Sequence, residues 1–140
     1  MPEGPEVKIA SDYFNNFFAA SKKVEFEIIS DYYYQKYSDV FNIINDNLET
    51  LKPTFTVGKN IFLKLTNNKI FNFHLGMTGG WSSDLIKHCH FRIFDGNNEL
   101  FFKDIRKFGN MKIITNNQFN NKFNATYDLL NKSYNIKKHL

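Results

Sequence analysis

Residues 55–74, FTVGKNIFLKLTNNKIFNFH, hold the clearest strand signal in this 140-residue chain. They contain successive short apolar runs that are rich in Phe and Ile. The runs span 55–57, 61–65 and 70–74. The turn-forming pairs Gly58-Lys59 and Asn67-Asn68 separate the runs. Short aromatic and β-branched runs bounded by such turns predict consecutive strands of a β-sheet.

The same pattern extends to both sides of this segment. Alternating apolar residues predict a strand at Val24–Ile28 that continues into the tyrosines at 32–34. Further strands are expected downstream, with turns at Asp95-Gly96 and Gly109-Asn110. These strands are 90–94, 100–103 and 111–115. Apolar residues at helical spacing predict helices over 5–20 and 40–51. Together these elements predict a mainly β (α+β) fold built as a β-sandwich.

The composition predicts a single domain. Apolar residues make up 42% of the sequence and aromatic residues 17%, which is enough for a core without disulfide cross-links. The one cysteine, Cys89, excludes an internal disulfide and a multi-cysteine zinc site, and we expect a reduced thiol in an intracellular protein. The net charge of +4 permits a polyanionic partner without requiring one. No apolar run reaches the roughly 18–20 residues of a transmembrane helix, so no membrane partner is expected.

The N-terminal segment MPEGPEV, residues 1–7, has two interpretations. Removal of the initiator methionine before the small Pro2 would expose a secondary amine, which is less basic than a lysine side chain and more nucleophilic at neutral pH. Such an amine forms an iminium ion with an aldehyde-level carbon, and Glu3 and Glu6 would be proton donors and acceptors beside it. The alternative is structural, because Pro5 and nearby acids also suit the first turn of a helix.

Four further motifs follow the N-terminal segment along the chain. They are Gly58–Leu63 (GKNIFL), Phe73–Gly79 (FHLGMTG), Lys87–Phe91 (KHCHF) and Asp104–Gly109 (DIRKFG). In this order the motifs resemble those of the Fpg/Nei family, the formamidopyrimidine-DNA glycosylases and endonucleases VIII of base-excision DNA repair. The resemblance implies an antiparallel β-sandwich flanked by a long N-terminal helix. It also implies a bifunctional DNA glycosylase/AP lyase that acts on oxidised bases in damaged DNA.

The resemblance further implies a catalytic role for the N-terminal residues. Pro2 would attack the sugar C1′ of a damaged nucleotide, so that the base leaves and a Schiff base forms before β- and δ-elimination cut the strand. Glu3 would be the main general acid/base, acting on the sugar ring oxygen or hydroxyl, and Glu6 would support it by holding water. The nucleotide must first leave the base stack, since its sugar carbon is otherwise out of reach.

Five other positions match DNA-contacting residues of the family. Lys59 and His74 match phosphate contacts, although taken alone they would be interpreted as a surface lysine and a core histidine. Met77, Arg106 and Phe108 match the residues that fill the space left by an extruded base. Taken alone, Met77 and Phe108 would be interpreted as core residues and Arg106 as a surface charge.

The triplet His88-Cys89-His90 has the composition of a metal site. Residues i and i+2 of one strand rarely chelate an ion unaided, and no second cysteine is present. For His90 we therefore expect a DNA-contacting or packing role, and we expect no metal or other cofactor.

The motifs and the composition of the chain change at about residue 115. Residues 1–115 carry the Fpg/Nei motifs of an N-terminal catalytic domain, whereas 116–140 are polar and rich in Asn and Lys, as in a linker or a loose helix. Family members continue with a helix–two-turn–helix domain and usually a finger. We expect these parts in a second chain or, alternatively, a truncated, weakly active or non-catalytic DNA-binding remnant.

The sequence does not decide whether the lesion is an oxidised pyrimidine or an oxidised purine. Gly4 is typical of the endonuclease VIII branch. The set of Met77, Arg106 and Phe108 is typical of Fpg-like or animal Nei-like members instead.

Overall fold

A computed structural model of the chain describes residues 4–76, 79–107 and 109–122. Helices and strands in these ranges follow the order α1 (Gly4–Phe17), β1 (Glu25–Ile28), α2 (Asp31–Asp46), β2 (Phe55–Val57), β3 (Asn60–Lys64), β4 (Lys69–His74), β5 (Gly80–Ser82), β6 (Cys89–Phe94), β7 (Glu99–Lys103) and β8 (Asn110–Thr115). A third helical segment, α3, covers 116–122. No helix in the described ranges is both long and apolar enough to cross a membrane.

The strands form two four-stranded antiparallel sheets. The first sheet has the order β1-β6-β7-β5 and the second has the order β2-β3-β4-β8. The segment 55–74 forms the adjacent strands β2, β3 and β4, as its turns predicted. The prediction of a mainly β, α+β sandwich flanked by an N-terminal helix is confirmed.

The main core lies between the sheets, and a smaller one covers the outside of the second sheet. Ile61 and Leu63 of β3 belong to the main core, whereas Phe62 between them faces the other way. Phe119 of α3 packs on Phe62, with ring centroids 5.0 Å apart. This sheet is therefore covered on both faces, which explains why its strands are continuous apolar runs rather than alternating ones.

The tyrosines at 32–34 lie in α2, so the prediction that β1 continues through them was wrong. Ser30 begins the helix as its N-cap, with its hydroxyl accepting a hydrogen bond from the backbone N–H of Tyr33 (3.2 Å). Tyr33 and Tyr37, one helical turn apart, are both buried. Aromatic residues favour strands in general, but here a capping serine and a buried helical face outweigh that preference.

The edge strand β5 was not predicted, because three residues give no measurable periodicity. Its central residue, Trp81, donates a hydrogen bond from its indole N–H to the carbonyl of Ala10 (3.0 Å). The ring also lies 5.7 Å from that of Phe14, between centroids. β5 therefore fastens α1 to the first sheet.

Candidate functional site

The sequence motifs converge at one end of the sandwich. β4 ends at His74, which pairs with Asn60 of β3 and with Asn110 of β8. In the first sheet, Lys103 at the end of β7 pairs with the starts of β5 and β6. The turn between β2 and β3 and the connections β4–β5 and β7–β8 therefore all lie at this end, which we call the motif end.

The first turn of α1 borders the motif end across an open cleft of about 510 Å³. Glu6 lines this cleft together with Leu75 and Gly79 of the β4–β5 connection. A Cβ atom on Gly79 would lie only 2.2 Å from the carbonyl oxygen of Leu75, so no other residue fits there. Pro2 and Glu3, predicted to act with Glu6, lie outside the described residues.

Lys59 and His74 are neighbours at the motif end. The Nδ1 atom of His74 accepts a hydrogen bond from the backbone N–H of Gly76 (3.0 Å), so the neutral ring carries its proton on Nε2. Burial, and secondly the positive charge of Lys59, lower the pKa of His74 below its ordinary value of 6.5. The structure thus brings together an ammonium group and a neutral N–H donor, which are both suited to a phosphate oxygen.

The β7–β8 connection is organised by Asp104, which is 0% exposed. Its carboxylate accepts hydrogen bonds from the backbone N–H of Lys107 (3.1 Å) and of Gly109 (2.7 Å). Lys107 is thereby held at a φ of +60°, a conformation that residues with side chains rarely adopt. Arg106 is exposed on this connection. Phe108, like Met77 of the β4–β5 connection, lies outside the described residues.

His90 supports the same connection from the interior. It lies at a β-bulge in β6, where the register against β7 shifts between Cys89 and Phe91. Its Nε2–H donates to the carbonyl of Asp104 (2.8 Å), and its Nδ1 accepts from the hydroxyl of Ser30 (2.8 Å). The ring is 3% exposed and stacks on Tyr33 at 4.5 Å. This geometry favours the packing role for His90 over direct contact with DNA.

The triplet around Cys89 has no common orientation toward an ion. His88 is exposed, Cys89 is a buried free thiol, and both ring nitrogens of His90 have protein partners. Across 4–76, 79–107 and 109–122, no three His, Cys, Asp or Glu residues are grouped as metal ligands would be.

Sequence reasoning assigned no role to Ser30, Tyr33 or Asp104. Asp104 opens one of the quoted motifs, and Ser30 before Asp31 is a recognisable helix N-cap signal, so both had a signal in the sequence. Tyr33 had none, because its stacking on His90 joins residues that are far apart in the chain.

Comparisons with known proteins agree with this architecture. A family model of the formamidopyrimidine-DNA glycosylase N-terminal domain matches residues 1–111. Formamidopyrimidine-DNA glycosylase of Bacillus cereus is 33% identical over 121 residues, and that of Mycoplasmopsis pulmonis is 30% identical over 128 residues. Each of these two matches covers 81% of this chain and 43% of the relative.

Solved structures show the same fold. MutM in complex with DNA containing carbocyclic 8-oxo-G is similar at a TM-score of 0.72 and 22% identity, over 87% of this chain and 48% of that one. Lactococcus lactis Fpg in complex with DNA containing an abasic site has a TM-score of 0.71 and 20% identity, over 87% and 46%. The chain thus spans less than half the length of these relatives. With its ordered motifs, its sandwich and the family model in agreement, the chain belongs to the formamidopyrimidine-DNA glycosylase family, whose N-terminal domain it matches.

Proposed function

We propose that this chain is a base-excision repair DNA glycosylase/AP lyase that acts on oxidised bases through a Schiff base on Pro2. The observation that carries the proposal is the convergence of the family motifs at the motif end. The first turn of α1, the Lys59–His74 pair and the connection with Arg106 all lie there. α1 begins only two residues after Pro2, so the proposed nucleophile belongs to the same part of the chain.

The proposed reaction begins at the sugar of an extruded nucleotide. The amine of Pro2 forms a bond to C1′ and gives up its proton, while the bond from C1′ to the base breaks and the base leaves carrying a proton. Proton transfer to the sugar ring oxygen by Glu3 opens the ring and gives a cationic iminium. The iminium accepts the electrons of the adjacent C–H bond, whose proton passes to the Glu3 carboxylate or to water, and successive β- and δ-elimination expel the two phosphates. Glu6, exposed in the cleft, would hold water for these proton transfers.

The Lys59–His74 pair would hold a phosphate beside the reacting sugar. The lowered pKa of His74 keeps its ring neutral at pH 7, so it contributes a hydrogen bond and Lys59 contributes the charge. Arg106, with Met77 and Phe108, would fill the space that the extruded base leaves in the duplex.

Residues 1–115 would form the catalytic domain of this intracellular enzyme. The segment 116–140, whose first residues form α3 on the second sheet, would lead on toward a helix–two-turn–helix domain. A second chain carrying that domain and a finger would complete the grip on damaged DNA. Affinity for DNA grows with the number of phosphates neutralised, so adding such a chain in trans should increase cleavage of duplexes with an oxidised base.

Borohydride trapping on DNA with an abasic site tests the nucleophile. The full chain should form a covalent adduct, Pro2→Gly should reduce it, and an additional residue before Pro2 should abolish it. Glu3→Gln should slow base excision more than nicking at a ready-made abasic site. An adduct that persists when the N-terminus is blocked would assign the nucleophile to a lysine and contradict the proposal.

The second candidate is a non-catalytic or weakly active DNA-binding remnant that uses the same cationic groups. It is distinguished by DNA binding that depends on Lys59 but gives no trapped adduct. Lesion-specific cleavage of duplex DNA by the isolated chain would exclude it.

A further inference from the structure

Two lysines from different elements share one tyrosine ring beside the motif end. The ammonium nitrogen of Lys36, in α2, lies 5.5 Å from the ring centroid of Tyr32 and donates a hydrogen bond to its hydroxyl (3.3 Å). The ammonium nitrogen of Lys107, in the β7–β8 connection, lies 5.0 Å from the same centroid. Tyr32 is 37% exposed. We call these three residues the Tyr32 cluster.

The positive charge of the Tyr32 cluster is not neutralised within the described part of the chain. No carboxylate there forms an ion pair with Lys36 or Lys107, and this includes Asp31 beside Tyr32. The hydrogen bond with Tyr32 is the largest of the effects that raise the pKa of Lys36, so its charge is secure at neutral pH. An aromatic ring stabilises each cation without cancelling its charge.

The buried network described above sets the position of both lysines. Asp104 fixes the backbone of Lys107 at positive φ, and Ser30 caps the helix that carries Lys36. Because both ammonium nitrogens lie within 5.5 Å of one centroid, they are at most about 11 Å apart. Two neighbouring phosphates of one DNA strand, about 3.4 Å apart along the helix axis and further apart through space because of the helical rotation, fall within this distance.

We infer that the Tyr32 cluster binds the phosphodiester backbone of DNA beside the motif end. Closely spaced, unpaired cations suit a polyanion with regularly spaced charges better than a single small anion. The cluster is continuous with the motif end, since Lys107 follows Arg106 directly. The inference rests on the proposed function only for the identity of the polyanion as DNA.

The test compares two double variants that change the net charge equally. Lys36→Gln with Lys107→Gln removes the cluster's charges, and Lys22→Gln with Lys23→Gln removes two exposed lysines near the opposite end. Affinity for a short undamaged duplex is measured with the full chain as a function of salt. The cluster variant should reduce the slope of log K against log salt by about 1.8, with on the order of 10- to 100-fold weaker binding at ~50 mM salt. The control should change the slope by less than about 0.5.

Three outcomes of this test support or overturn the inference. Equal losses in both double variants overturn the inference, because net charge alone then explains them. Absence of duplex binding by the parent chain at low salt overturns it as well. A selective loss in the cluster variant supports it even when the parent forms no borohydride adduct, in which case the proposed function fails and the binding site stands. Thermal melts of both variants verify that these exposed substitutions leave the fold intact.

Discussion

The two ends of the sandwich connect the strands in different ways. At the end opposite the motif end, which we call the far end, the β3–β4 and β6–β7 turns lie at the surface and join neighbouring strands of the same sheet. Asp95 illustrates this end, because its half-exposed carboxylate accepts the backbone N–H groups of Asn97 (2.9 Å) and Asn98 (2.7 Å) within its own turn, and its other oxygen accepts from the hydroxyl of Ser21. At the motif end, Asp104 also accepts two backbone N–H groups, but it is fully buried and its own carbonyl accepts from His90.

The difference shows what the buried network does. When a turn at the surface loses a hydrogen bond, water replaces it at little cost in stability. A buried donor left without a partner instead lowers the stability by about 1–3 kcal/mol. The surface turns of the far end therefore serve mainly to reverse the chain direction. The motif end holds Lys107 in a rare backbone conformation and keeps Arg106 exposed, which gives the proposed DNA-binding groups a fixed support.

The largest expected effect is that of Asp104→Asn. The amide keeps one acceptor and turns an NH₂ group toward a backbone N–H, so a buried donor loses its partner, at a cost of about 2–3 kcal/mol in the free energy of unfolding. Asp95→Asn is the matched change at the far end and should cost less than about 1 kcal/mol, because one oxygen accepts both backbone N–H groups and the amide NH₂ can donate to the Ser21 hydroxyl that now donates to the other oxygen. Urea denaturation of both variants measures the difference. Equal losses would remove the distinction between the two ends.

The next largest effect on stability is expected at a glycine of the motif end, in comparison with a glycine of the far end. A Cβ on Gly109 would lie 2.9 Å from the carboxylate of Asp104 and 3.2 Å from the carbonyl of His74, so Gly109→Ala should cost about 2–3 kcal/mol. Gly96 at the far end has positive φ but nothing within 4 Å of a Cβ, so Gly96→Ala should cost only the backbone strain of about 1 kcal/mol. The same denaturation assay checks both values. A milder effect at Gly109 would mean that the connection moves freely.

The far end was also the easier end to predict from sequence. The turns at Asn67-Asn68 and Asp95-Gly96 are signalled by turn-forming residues within the turns themselves, although Asn67 also bonds Asn47 and Asp95 also bonds Ser21. The strands beside these turns were placed to within a residue. The third predicted turn, at Gly109-Asn110, lies instead where the β7–β8 connection enters β8. That connection depends on contacts between distant parts of the chain, such as the hydrogen bond between Ser30 and His90, which no local pattern encodes.

The same reason limits what sequence says about single site residues. The motifs identified Lys59, His74 and Arg106, and the structure brings their elements to one end. The motif around His90 did not reveal that a bulge turns this ring into the interior, because a bulge shifts the alternation on which facing predictions depend.

Two buried tyrosines of α2 give a third, smaller contrast inside the motif end. The hydroxyl of Tyr33 has no hydrogen-bond partner among the described residues, and burial raises its pKa. The hydroxyl of Tyr37 donates to the carbonyl of Gly109 (3.4 Å). Tyr33→Phe should therefore leave stability unchanged or raise it by up to about 1 kcal/mol, whereas Tyr37→Phe should lower it by about 1 kcal/mol. Thermal melts of the pair check the opposite signs, and a large loss in Tyr33→Phe would indicate that its hydroxyl has a partner.

The smallest expected effect is the pH response of His74, and it belongs to the motif end because the described part of the far end contains no histidine. The pKa of His74 in the folded chain lies below the ordinary 6.5, mainly through burial and secondly through Lys59. As the pH falls below about 6.5, the unfolded chain therefore binds this proton first, and the free energy of unfolding decreases; above that pH the contribution of His74 is constant. Protonation also replaces the acceptor at Nδ1 that receives the N–H of Gly76. An NMR titration should give a midpoint below 6.5, and Lys59→Gln should raise it only in part, since burial is the larger cause. A midpoint at or above 6.5 in the parent chain would contradict both the neutral ring and its proposed role as a hydrogen-bond donor to phosphate.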